Sequence, residues 1–516
     1  MNTPGMQLNI LVASSEIVPF AKTGGLADVG NALPKALERL GHHPVIFMPA
    51  YRSTLSNSEG FTDLGVTVEI PIGSNIVTGR ILKGQLPNSQ VPVYLIDQKD
   101  YFDREGIYGN AGKDYEDNCA RFVFFSRAVI EAVRLLNLQI DVIHCNDWQT
   151  GLIPAIINIE QRPAGVFRQA ATVMTIHNLA YQGNFWHLDM KLTGIDWKHF
   201  NWQEMEFFGQ LSLLKTGIVF ADAISTVSPT YAQEIQTAEH GCGLDEVLKH
   251  RSNDLTGIIN GVDYEVWNPA TDSNLIANFD SSNWQNEKAK CKADLQRLMN
   301  LPEDPNVPVV GIIGRLAEQK GWDLIIDLMR TSLRDNLVQW VILGTGDPGF
   351  EQAISHMAEE CPDKVGAQLT FSNELAHKIE AGSDMFLMPS RYEPCGLNQL
   401  YSLKYGTVPI TRETGGLRDT VTNSDEQAVA AGTANGFTFE EYSAVAIHDA
   451  LSRALITYFD HRDVWNRIVE TGMNQDWSWN ESARKYVELY QSVLNRLRPE
   501  ASDNDSVLAT ETTETE

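Results

Sequence analysis

No two cysteines in this chain stand in a CxxC pair; the six present, at 119, 145, 242, 291, 361 and 395, are scattered. That spacing argues against a disulfide scaffold and fits a reducing compartment. Zinc-ligand spacing, a Walker loop and the order of a Ser-His-Asp triad are absent too. No stretch approaches the roughly eighteen apolar residues that a membrane span requires. The N-terminus has no basic segment leading into an apolar run and a cleavage site, so a soluble cytoplasmic protein is expected. Cations are scarce: 40 Lys and Arg stand against 67 Asp and Glu, a net charge of −27. Non-specific attraction to nucleic acid or to an anionic membrane is thereby disfavoured, and an anionic substrate would need a local basic pocket. Short-period repeats are absent, and the one biased tract is 499–516, with six acids and no base. Such a tail cannot build a core and is expected to be disordered.

What is present is length and alternation. With 516 residues, 43% of them hydrophobic, two large domains are the default. Short β-branched runs alternate with longer helical patterns. The strands expected in the first half are 8–14, 44–48, 91–96, 142–145, 172–176, 224–227 and 257–259. Those in the second half are 309–313, 338–343, 368–371, 385–388 and 408–410. Continuous apolar strands separated by helices predict parallel sheets covered on both faces, an α/β class with two doubly wound domains. Ligands of such sheets bind beyond the carboxyl ends of the strands. The division falls after Asn260-Gly261-Val262-Asp263, where the alternation lapses, to restart at Val307. A helix is expected near 284–299, and Pro34 inside the pattern of the first helix predicts a kink or restart.

The chemistry-bearing residues follow strands. Lys22, Gly24, Gly25 and Asp28 lie in a glycine turn that opens a helix, where free amides, a dipole end and a cation suit phosphate. A purely structural turn fits the same residues. Arg315 and Lys320 flank the loop after 309–313 and would stabilise a leaving diphosphate, or form a solvent-facing pair. Glu393, before the amides of Cys395, Gly396 and Leu397, suits sugar hydroxyls, which need acceptors and donors; a helix cap or a dipole partner is the alternative. Gly415 and Gly416 repeat the device after 408–410. His177 and Asn178 end one strand, Asp147 and Trp148 another. Cys145 reads as a small buried residue and Cys395 as a packing one.

Together these motifs closely resemble the bacterial and plant glycogen/starch synthases, glycosyltransferase family five, of the two-domain GT-B fold. The matching pieces are Lys22 to Val29, Asp147-Trp148, Thr175 to Asn178, Asn260 to Asp263, Gly314-Arg315-Leu316, Gln319-Lys320-Gly321, Pro389 to Leu397 and Thr414 to Leu417. They run in family order from Leu8 to about Tyr490. The resemblance implies two Rossmann-like domains, 1–258 and 259–475, facing a cleft, with a helix at 476–498 crossing back to the first. It implies retaining transfer of glucose from ADP-glucose to the non-reducing end of an α-1,4-glucan, with no metal and no other cofactor. By carry-over, Lys22 and Gly25 meet the diphosphate from one side, and Arg315 and Lys320 from the other. Glu393 and the amides at 395–397 bind the glucose, and His177 lies near the anomeric carbon. Phe371 aligns with an aromatic that stacks on adenine, and Asp147 and Trp148 face the donor glucose or the acceptor. Gly24, Asp28, Asn178, Asn260, Thr414, Gly415 and Gly416 complete the expected substrate contacts. Three positions depart from the pattern: Asn146 and Gln149 flank Asp147-Trp148 where many relatives carry His, and Tyr401 stands where many retaining GT-B enzymes place a second Glu. With no enzymic nucleophile in view, same-face substitution is the mechanism expected.

Overall fold

The structure, a computed structural model, describes residues 7–57, 60–110, 112–333 and 338–498. The acidic tail expected at 499–516 lies outside the described residues. Contacts divide the chain into two compact units: residues up to 175, 181–224 and from 483 onward in one, and 176–180 with 225–482 in the other.

In the first unit the sheet runs in the order Thr62–Ile72, Asn75–Gln85, Pro92–Asp97, His43–Pro49, Asn9–Ala13, Val142–Asn146, Ala171–Ile176. Asn9–Ala13 is parallel to both of its neighbours, His43–Pro49 and Val142–Asn146. The chain therefore winds one way and then the other about this strand, which makes its carboxyl end the switch point of the sheet. The helix Asn118–Leu135 supplies fully buried Phe122, Phe124 and Phe125 to the core. Each such side chain stabilises the fold by about 1.5–3 kcal/mol.

The edge hairpin Thr62–Ile72 and Asn75–Gln85 is antiparallel and was not among the expected strands. Its alternation was readable: Val68, Ile70 and Ile72 are buried while Thr67, Glu69 and Pro71 are exposed, the period of a half-covered sheet. Pro71 is tolerated because the strand is an edge. Pro34 does not restart its helix: Leu26–Arg39 is one α-helix with the proline inside it.

The second unit holds a sheet whose strand pairs are all parallel, in the order Val365–Gln368, Gln339–Leu343, Val309–Ile313, Met385–Met388, Val408–Arg412, Phe437–Phe439. Here Val309–Ile313 occupies the switch point. The strand expected at 368–371 is shifted: it ends at Gln368, leaving Phe371 in the following loop. The strand expected at 257–259 lies at Leu255–Gly257.

The boundary expected near 258 moves to 224/225, and the reason is local bonding. Ser228 Oγ donates to the Pro394 carbonyl (2.7 Å), and the amide and hydroxyl of Thr230 donate to the Asp419 carboxylate at 2.8 and 2.7 Å. Glu234 accepts from Thr414 and Gly415. The last helix is Trp479–Leu497. Its residues from 483 group with the first unit, where the Tyr490 hydroxyl lies 2.8 Å from His144 Nδ1. Just beyond it, Arg498 donates to Asp141 at 2.9 Å.

Candidate active site

Two loops leave the switch point of the second unit side by side, 314–321 after Val309–Ile313 and 389–397 after Met385–Met388. They are laced together: the Arg391 amide donates to the Gln319 carbonyl at 2.9 Å, and Gln319 Nε2 to the Tyr392 carbonyl at 3.3 Å. Gly321 has φ +77°, and a Cβ there would lie 2.3 Å from the Pro389 carbonyl oxygen. Only glycine permits that approach.

This lacing brings Lys320 Nζ to 2.6 Å from Glu393 Oε2, which also accepts from Ser390 Oγ at 2.9 Å. Glu393 is 6% exposed, and a buried carboxylate persists when paired and hydrogen-bonded in this way. The helix that follows, Asn398–Lys404, has Leu397 at its N-cap and no side-chain cap. Glu393 is thus not a cap. Arg315 is exposed and lines an open depression of about 550 Å³ with Glu318, Thr345, Gly346, Asp347 and Phe350. Trp322 Nε1 holds the Arg315 carbonyl at 3.0 Å.

Among the described residues nothing accepts from the amides of Cys395, Gly396 or Leu397. Burial pushes the Cys395 thiol up to about 12, which leaves it a neutral packing group. The amides at 415–416 are not open in the same way. Glu234 Oε1 accepts from the Thr414 hydroxyl and the Gly415 amide, both at 3.0 Å, while the Gly416 amide donates to the carbonyls of Glu393 and Pro394 at 3.1 and 3.2 Å. The second glycine pair therefore braces the 393–395 backbone instead of repeating the first.

Asn260 is buried, and its Oδ1 has no hydrogen-bond partner among the described residues. Phe371 lies in the loop after Val365–Gln368, 79% exposed. His177, which groups with this unit, is partly exposed at its strand end, and desolvation holds it down to about 3. Its imidazole is neutral at pH 7. Asn178 Oδ1 caps the next turn, accepting from the Ala180 amide at 3.0 Å. Tyr401, at the position of the absent second Glu, stacks on Trp267 at 3.9 Å, and Trp267 stacks on His377 at 3.8 Å. It is part of an aromatic pile.

In the first unit, the loop 14–25 and the turn at Asp147-Trp148 leave neighbouring parallel strands at the switch point. Lys22 Nζ lies 2.7 Å from Asp28 Oδ1. A Cβ at Gly24 would meet nothing within 4 Å, so the fold itself does not require glycine there. Asp147 has φ +54°, a strained conformation for a residue other than glycine. Trp148 packs on Phe122 (4.9 Å) and Phe185 (5.6 Å), and a Cβ at Gly183, φ +57°, would lie 2.4 Å from its ring.

Sequence reasoning missed Ser390 and Glu234, which are placed by tertiary contacts alone. Among the described residues no group of three or more His, Cys, Asp or Glu is arranged to hold a metal, and no helix is long and apolar enough to cross a membrane.

Residues 9–250 match the starch synthase catalytic domain family, and 299–470 match the group 1 glycosyl transferases. A glycogen synthase of Rhodopirellula baltica is 45% identical over 507 residues, covering 96% of this chain and 100% of the relative. Glycogen synthase 1 of Geobacter sulfurreducens is 43% identical over 492 residues, covering 95% and 97%. Among solved structures, the catalytic domain of starch synthase IV from Arabidopsis thaliana, bound to ADP and acarbose, matches with a TM-score of 0.87 at 34% identity, covering 95% of this chain and all of that one. A sucrose-phosphate synthase from Thermosynechococcus elongatus shares the fold, with a TM-score of 0.57 at 17% identity and the same coverage. With two switch-point sites of GT-B type and matches along nearly its whole length, the chain belongs to the glycogen synthase family of glycosyltransferases.

Proposed function

We propose that this enzyme transfers glucose from ADP-glucose to the non-reducing 4-hydroxyl of an α-1,4-glucan, retaining the anomeric configuration and elongating a storage polysaccharide in the cytoplasm. The observation that carries this reading is the Lys320–Glu393 pair at 2.6 Å. A cation suited to phosphate and a buried carboxylate suited to sugar hydroxyls lie within one hydrogen bond. A sugar diphosphate asks for that juxtaposition.

In the proposed step the bond from C1 to the diphosphate oxygen breaks, and a bond from C1 to the acceptor 4-oxygen forms on the same face. The acceptor proton passes to the departing diphosphate. Arg315 and Lys320 stabilise the charge that grows there, and Lys22 adds a further cation. No metal is assigned a role. Glu393 and the amides at 395–397 hold the glucose, and neutral His177 lies beside the oxocarbenium-like carbon without adding a repelling charge. Phe371 offers an exposed face for adenine, and Asp147 and Trp148 face the donor glucose or the acceptor.

The test is ADP release from ADP-glucose with a glycogen primer, with UDP-glucose as the competing donor. Glucan-dependent ADP release supports the reading. A preference for UDP-glucose, or glucan binding with no nucleotide release, refutes it.

A further inference from the structure

The loop that follows the first strand conceals a carboxylate outside the chemistry described so far. Glu16 is 3% exposed. Its Oε2 accepts from the Thr23 amide and, at 3.2 Å, from the Gly24 amide; its Oε1 accepts from the Thr23 and Tyr108 hydroxyls, each at 2.6 Å. The Tyr108 hydroxyl also lies 2.8 Å from Ser15 Oγ. Four donors converge on one buried acid.

The acid is itself held in place. Ser14 Oγ donates to the Glu16 carbonyl at 2.8 Å, and a Cβ on Gly30 would lie 2.8 Å from that same oxygen. The helix that starts at Leu26 is therefore seated on the Glu16 backbone, and glycine allows it.

The partners on each side matter more than their number. Thr23 and Gly24 form the turn between Lys22 and the helix start. With their amides committed to Glu16, the amides of Gly25 and Leu26 have no acceptor among the described residues. On the other side, Tyr108 packs against Trp148 with ring centroids 6.2 Å apart, and both rings pack on Phe122.

We infer that Glu16 is a positioning residue: its carboxylate serves as an internal anion that sets the 22–25 turn for the donor diphosphate and, through Tyr108, ties that turn to the Trp148 side of the site. A carboxylate suits the task because its two oxygens accept four bonds. The inference rests on the roles proposed above for Lys22 and Trp148.

A double-mutant cycle in the full chain tests it. Glu16→Ala is expected to lower kcat for ADP-glucose by about 10–100-fold, the scale of a misplaced catalytic group. In a Lys22→Ala background the same change is expected to cost less than about threefold, because the two act as one unit. Glu16→Gln should restore most activity: its carbonyl accepts from the two amides, and its NH₂ donates to hydroxyls that can turn to accept. Multiplicative losses in the cycle, or a Gln variant as impaired as the Ala variant, overturn the inference. If Glu16→Ala fails to fold, Thr23→Val and Tyr108→Phe each remove one donor and enter the same cycle.

Hydrogen exchange separates this inference from the reading of Lys22. Slow exchange at Thr23 and Gly24 that becomes fast when Glu16 is changed upholds the tie, even if Lys22→Ala proves active. Unchanged exchange overturns it.

Discussion

Replacing Gly416 by alanine adds one methyl group at a place where the backbone leaves none. Gly416 is in the helix Gly415–Thr420, and an ideal Cβ there would stand 2.1 Å from the Cys395 carbonyl oxygen and 2.6 Å from the carbonyl carbon and Cα of the same residue. All three neighbours are backbone atoms, so no rotamer change relieves the clash. Since real Cβ atoms essentially never come within 3.0 Å of such neighbours, helix and loop must part by about 1 Å, a displacement worth around 100-fold in rate when it moves groups that hold a reacting substrate. The stability cost is smaller. Overpacking costs about 1–3 kcal/mol, while Gly to Ala in a helix returns up to about 1 kcal/mol, so a net loss of about 0–3 kcal/mol is expected. The moved loop carries Glu393 and the open amides of 395–397, so kcat for ADP release should fall by about 10–100-fold while the protein stays folded. The measurements are primer-dependent ADP release and thermal unfolding on the same sample. A folded variant with kcat within threefold of the parent would refute the reasoning that this glycine braces the sugar-binding loop.

Gly24→Ala is the counterpart, since a Cβ there meets nothing within 4 Å: thermal unfolding should be unchanged while KM for ADP-glucose rises, and an unchanged KM would mean that nothing approaches this backbone. Lys320→Ala should lower turnover far more than glucan affinity, because it removes charge stabilisation at the leaving group; steady-state kinetics beside a glucan-binding assay reads this, and near-normal turnover counts against the role. His177 has a folded-state value near 3, below the unfolded value of about 6.5, so the unfolded chain takes up a proton that the native one refuses. Stability is therefore intact above about pH 6.5 and falls as the pH drops towards 3, by about 2 kcal/mol at pH 5. Urea unfolding of the wild type and His177→Asn at pH 5 and 8 checks the sign, and the slope should be smaller in the variant. An NMR titration of His177 near its ordinary value would contradict it.

Local pattern by itself determined the α/β alternation and the strand-to-loop points at which chemistry appears. Runs such as Val309–Ile313 and Met385–Met388 match the expected strands residue for residue, because short, continuous apolar segments bounded by loops suit a strand buried on both faces. The motif resemblance supplied the family, and the glycine turns at 24–25 and 415–416 suggested close backbone approach. Pattern could not say which glycine answers to which need. Gly321 and Gly416 are demanded by neighbouring backbone, and Gly24 by nothing in the fold. Nor could it find partners distant in sequence. The bonds from Glu16 to Tyr108, from Lys320 to Glu393 and from Glu234 to Gly415 span 92, 73 and 181 positions. The first two exist because parallel strands carry distant segments to the same end of a sheet, and a parallel crossover leaves no local trace of where it returns. The residues that bear charge were legible one at a time; which of them neutralise one another was decided only when the sheets closed the distance.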